Sequence, residues 1–126
     1  MTDLKRSLYE FWSQFGVSAY LSDCVPDGAE LPYITYTVAQ PAFNGSTVLT
    51  AFNWHRRGEN GNVERSSLMD LIAEAIPVSG RFLPVGEGYV VLYRNDSDFQ
   101  TDWQDDVDAD IIAGRTSYIA QYYNAK

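Results

Sequence analysis

Pro32-Tyr33-Ile34-Thr35-Tyr36-Thr37-Val38-Ala39-Gln40 is followed, after Pro41 and the turn dipeptide Asn44-Gly45, by Ser46-Thr47-Val48-Leu49-Thr50-Ala51-Phe52-Asn53-Trp54-His55-Arg56. Both runs are rich in aromatic and β-branched residues and alternate with period two, so they read as strands. In the first, Ile34, Tyr36 and Val38 share one face. In the second, Val48, Thr50, Phe52 and Trp54 share one face, and Leu49, Ala51, Asn53 and His55 the other.

Upstream, Leu4, Leu8, Phe11, Trp12 and Phe15 form an apolar stripe at helical spacing, with Thr2 or Asp3 as cap and Gly16 as stop. This predicts a helix over residues 3–15, then a short extended piece over 17–21 and a turn at Pro26-Asp27-Gly28. Downstream, Leu68, Leu71, Ile72, Ala75 and Ile76 predict a second helix over 63–76, with Asn62 as N-cap and Pro77 as terminator. Arg81–Val85 and Tyr89–Arg94 read as a hairpin about Gly86-Glu87-Gly88. Residues 95–106 are polar, and 107–123 become β-like again. There Ile111 and Ile119 share one face, Ile112, Tyr118 and Tyr122 the other, and Gly114 marks a bulge or bend. Two helices among non-alternating strands predict an α+β single domain over residues 1–126. Its expected core is a mostly antiparallel sheet of about four to five strands packed against two helices.

A chain of 126 residues that is 45% hydrophobic and 14% aromatic fits one core and is too apolar for intrinsic disorder. No run approaches the ~18 apolar residues of a membrane span. Residues 1–10, with Asp3, Lys5, Arg6 and Glu10, lack a signal-peptide core, so a non-secreted protein without a membrane partner is expected. Lys and Arg total 9 against 17 Asp and Glu, a net charge of −8. The only basic pairs are Lys5-Arg6 and Arg56-Arg57, too few for a groove that grips phosphate. Cys24, alone, forms neither an internal disulfide nor a multi-thiolate zinc site.

Seven aspartates, Asp96, Asp98, Asp102, Asp105, Asp106, Asp108 and Asp110, crowd one segment. A calcium loop fails on spacing: Thr101 stands where glycine belongs and Val107 where the bidentate carboxylate belongs. The segment reads as a solvated loop or, in a ring, as an electrostatic lining. Gly86-Glu87-Gly88 lacks the third glycine of a phosphate loop and precedes a strand. His55, the single histidine, has no Gly-x-Ser-x-Gly elbow to serve. The tyrosines of 33–36 and 118–123 read as a base-stacking platform, sheet packing or a subunit interface, and net acidity disfavours the first. No catalytic, cofactor-binding or metal-binding residue is assigned, and no cofactor is expected.

The order of parts, and above all Leu31-Pro32-Tyr33-Ile34-Thr35-Tyr36, a tryptophan-bearing strand, Val90-Val91-Leu92-Tyr93 and an acidic connection into a long last strand, resembles the tail-terminator and minor capsid proteins of long-tailed bacteriophages and prophages. The resemblance covers nearly the whole chain in element order, and its sharpest motif, Pro-Tyr-Ile-x-Tyr, is short. It implies a structural, non-enzymatic subunit of the virion tail or neck, made in the host cytoplasm. Such subunits assemble with copies of themselves into a ring, most often a hexamer. The ring caps the tail tube, meets tail tube protein and head connector, and lets DNA pass through. Expected interface residues are Phe43, Phe52, Trp54, Arg56, Arg57, Tyr118 and Tyr122, aromatics and arginines of the kind favoured at interface cores, although the aromatics serve a domain core equally well. Asp96, Asp98, Asp102, Asp105 and Asp106 are the expected lumen lining. A head–tail connector or stopper is the alternative, and a small ligand-binding module or enzyme a third reading.

Overall fold

A computed structural model describes residues 2–42, 44–104 and 107–123. The first helix, α1 (Thr2–Trp12), continues into a 3-10 turn, Ser13–Phe15, that ends at Gly16 in the left-handed region (φ 83°). Its stripe is buried as the spacing predicts, with Leu4, Leu8, Phe11 and Trp12 all in the core. Then come β1 (Ser18–Leu21), β2 (Tyr33–Tyr36), β3 (Ser46–Arg56), α2 (Glu59–Ala75), β4 (Arg81–Val85), β5 (Gly88–Arg94), β6 (Gln100–Gln104) and β7 (Ile111–Tyr123).

The sheet corrects the expected one. It has seven strands instead of four to five, and it is a mixed, curled half-barrel because β1 runs parallel to β2. The order is β1-β2-β3-β7-β5-β4, with β6 also beside β7. β1 needs only four residues and pairs through its backbone, so it leaves little periodicity to detect. β6 lies inside the polar stretch 95–106, expected as a loop. β5 and β6 line the same side of β7, opposite residues 118–123 and 112–116 respectively. Between them the chain steps out opposite Ser117, whose carbonyl accepts from Asn95 N (3.3 Å) and whose amide donates to Phe99 O (2.7 Å). The polar stretch is thus one interrupted strand line, held by β7.

β3 and β7 pair without interruption from Ser46↔Gln121 to Arg56↔Ile111, so the bulge expected at Gly114 is absent. Gly114 serves closeness instead: a Cβ there would collide with Met69 Sδ of α2 and lie 2.7 Å from Asn53 Oδ1. The start of α2 is corrected for a related reason. The helix begins at Glu59, four residues before the expected 63, and its N-cap is Gly58 instead of Asn62. The buried contact of its first turn is Gly61, where any Cβ would strike the Arg56 carbonyl. Apolar periodicity cannot register a turn whose packing residue is a glycine.

Both helices cover the same face of the sheet. Ala19, Ile34, Tyr36, Leu49, Ala51, Leu92 and Ala120 meet Leu4, Leu8, Trp12, Leu68 and Ile72 there. Trp12 and Tyr118 are wholly buried, their rings 5.6 Å apart, and Trp12 Nε1 donates to Tyr118 Oη at 3.3 Å. Arg94 closes the far end of α2, donating from Nε to Ile76 O (2.7 Å) and from its terminal nitrogen to Ala73 O (2.8 Å). A cation there also complements the helix dipole.

Gly114→Ala forces α2 off the sheet or Met69 out of its rotamer, and should destabilise the fold by about 1–3 kcal/mol. Urea unfolding followed by circular dichroism checks this against Gly28→Ala, where an added Cβ meets nothing within 4 Å.

Candidate functional site

Strand register sorts the candidate residues onto two faces, and the faces differ in chemistry. Under α2 lies a polar seam. His55 is 1% exposed, and Asn53 Nδ2 sits 2.8 Å from its Nε2. With the amide nitrogen donating, Nε2 accepts and the ring proton is on Nδ1, which faces the Glu64 carboxylate of α2 at 3.6 Å. Gln100 Nε2 donates to Met69 O (2.8 Å) and reaches Thr116 Oγ1 (3.4 Å), and Arg65 lies 3.4 Å from Asp102. Asn53 Oδ1, His55 Nδ1 and Arg65 Nε are buried without a hydrogen-bond partner among the described residues. The seam ties α2 to β3, β6 and β7 through His55, Asn53, Glu64, Gln100 and Arg65. Cys24 is exposed, and Asp23, through its hydrogen bond and its charge, pushes the thiol pKa up, away from a reactive thiolate.

The opposite face carries no helix. On it Phe52, Trp54 and Trp103 form a triangle with centroids 5.4 to 5.7 Å apart, and Trp54 Nε1 donates to Thr35 Oγ1 at 2.8 Å. Further along, Phe82, Tyr89 and Tyr123 stack in a row at 5.5 and 5.0 Å. Tyr20 and Tyr33 make an edge contact at 5.7 Å. Among the described residues no strand position on this face holds Asp, Glu or Lys, and Arg56 and Arg115 are the charged strand residues there. From the segment beside it Asp98 reaches Arg115 at 2.7 Å. Bonds from Thr101 and Arg115 hold the Asp98 carboxyl below its ordinary pKa.

The expected interface residues are therefore split. Phe52 and Trp54 lie half-buried on the open face, with Arg56 exposed at its end. Arg57 sits against its own chain: its amide donates to Asp110 O (2.7 Å) and its guanidinium to Ala109 O (3.4 Å). Tyr118 is core, and Tyr122 packs partly buried against the same core. Phe43 lies outside the described residues. Of the expected lumen aspartates, Asp96 is exposed, Asp98 faces the open side and Asp102 pairs on the helix side, while Asp105 and Asp106 lie outside the described residues. Trp103, Tyr89 and Phe82 were not singled out from sequence, whereas Tyr123 fell among the tyrosines of 118–123; Tyr89 and Phe82 alternate with buried Val90 and Leu83, which is the signal that places them outward.

Among the described residues no three His, Cys, Asp or Glu side chains converge in a metal-holding group, and no helix is long and apolar enough to cross a membrane. The recesses are open clefts, one of about 530 Å³ between Phe15, Leu71 and Arg81 and one of about 460 Å³ beside Pro32, Arg56 and the first turn of α2. Comparison with protein-family models, with curated proteins and with solved structures finds no match.

Burial holds the His55 pKa below its ordinary value of 6.5, against the smaller opposing pull of Glu64. A base depressed in the folded state binds its proton more readily when unfolded, so folding stability is full above about pH 6.5 and declines as the pH drops below it. Urea midpoints for the native chain should fall between about pH 7.5 and pH 5.5 more steeply than those of His55→Gln.

Proposed function

We propose that this chain is a structural subunit of a long-tailed phage or prophage virion, of the tail-terminator kind, which acts by docking to other protein subunits and forms a ring that caps the tail tube and joins it to the head. The observation that carries the reading is the helix-free aromatic sheet face, whose described strand positions hold no acid, in a protein whose net charge is −8. Partly exposed aromatic surface of this kind suits protein contacts, since interface cores are enriched in aromatics and arginine and poor in other charges. The order of elements in the sequence supports the same reading, from the Pro-Tyr-Ile-x-Tyr strand to the long last strand β7. The exposed Asp96, Asp108 and Asp110 suit a ring through which DNA must slide, since like charge within about a Debye length repels phosphate.

Electron microscopy of the protein mixed with tail tubes of the cognate phage checks the proposal. The expected result is a ring, or ring-shaped density at one end of each tube, together with an arrest of tube lengthening. Tubes bare at both ends at every protein concentration would overturn the terminator assignment. Density on isolated head connectors instead would move the assignment to the connector.

A further inference from the structure

We infer that the open sheet face is self-complementary and that the free protein pairs through it, face to face with a second copy about a twofold axis. The inference deepens the proposed docking role by naming the partner that covers this face when no tail is present. Its first support is charge. Two molecules of net charge −8 repel, and they approach most easily where neither presents a carboxylate. The described strand positions of this face hold no Asp, Glu or Lys, and its central arginine, Arg115, is neutralised by Asp98 at 2.7 Å. Arg56 sits at the end of β3, on the rim, where a like charge across the axis stays in water.

Extent is the second support. About five strands at ~4.8 Å spacing and about eight residues at ~3.3 Å rise give a footprint on the order of 600 Å². Counted on both copies that is about 1,200 Å², the lower end of specific protein interfaces. A third support is shape. Phe82, Tyr89 and Tyr123 form one flat stacked row, and Phe52, Trp54 and Trp103 one cluster, with half-buried Thr50 and Ile119 on the same face. Sheet faces pack at about 10 Å by interdigitating such large and small side chains. A twofold contact of this type uses the same patch on both copies, so it closes at two chains and does not propagate.

Light scattering coupled to size exclusion, from about 1 to about 200 μM, tests the pairing. The expected mass rises with concentration from one chain of 14.2 kDa to twice that value and stops there. Phe82→Asp and Trp103→Asp should each weaken pairing about tenfold or more, while Leu71→Asp on the outer side of α2 leaves it unchanged. Phe82 is 62% exposed and Leu71 48%, so neither substitution opens the core, and circular dichroism confirms that each variant is folded. A monomer at every concentration overturns the inference, as does a mass beyond two chains, or pairing that survives Phe82→Asp. Tube capping is read separately: capping by a protein that never pairs sinks only the pairing, and pairing without capping sinks only the terminator assignment.

Discussion

The antiparallel pairing of β3 with β7, eleven residues long and unbroken, gives every other part of the molecule its side. Because opposed residues in such a ladder point the same way, one register puts Leu49 with Tyr118, Ala51 with Thr116 and His55 with Ile112 on one face. The same register puts Phe52 with Arg115 and Trp54 with Ala113 on the other. A slip by one residue would send the buried set into water and the aromatic set under the helices. The two helices follow from this choice. The face with Leu49, Ala51 and Tyr118 is apolar enough to be covered, and α1 and α2 lie over it side by side. Trp12 and Tyr118 meet beneath them with their polar atoms bonded to each other.

The helix-covered face is not uniformly apolar, and the exceptions explain how α2 is fixed. Asn53, His55 and Thr116 are buried at the α2 end of the sheet. Leaving one such polar atom unbonded costs about 1–3 kcal/mol, so their partners matter more than their number. Asn53 and His55 bond each other through one atom apiece, leaving Asn53 Oδ1 and His55 Nδ1 unbonded, while Gln100 donates to Thr116 and to a carbonyl of α2. A polar amino acid from β6, the strand least visible in the sequence, therefore anchors the helix to the sheet. Gly61 and Gly114 bring α2 close enough for these bonds to form, at the two places where no side chain fits.

Where the physics is local and repetitive, the sequence is readable. The stripe of α1, the exact extent of β3, the β4–β5 hairpin and the alternation of Leu49, Ala51, Asn53 and His55 all follow from period and burial. β1 lies where the sequence reads as a short extended piece over 17–21, but its parallel pairing and β6 do not follow, because each is held by backbone bonds to a distant strand. Gln100-Thr101-Asp102-Trp103-Gln104 reads as loop until β7 offers it an edge. The start of α2 hides for the opposite reason, its anchoring residue being a glycine. Of the candidate site, Phe52 and Trp54 were legible as one face, but composition alone cannot say which face a helix will cover. Tyr118 has the same chemistry as Tyr123 and the opposite fate, and only the register against β3 and β5 separates them.

Charge then decides what the uncovered face can meet. Among the described residues the acidic side chains sit in helices, turns and connections except Asp102, which lies in a strand and points to the helix side next to Arg65. Among the described residues the acidic side chains thus lie at the margins and on the helical side, while the aromatic face stays close to neutral. A nucleic-acid strand would find rings to stack on but few cations for its phosphates, and the acidic margins would repel it at low salt. A protein surface of apolar character loses nothing to that repulsion once it lies within the neutral area, and the margins then penalise any partner that overlaps them. The same segregation that keeps free molecules apart along their edges leaves the sheet face as the place where contact costs least.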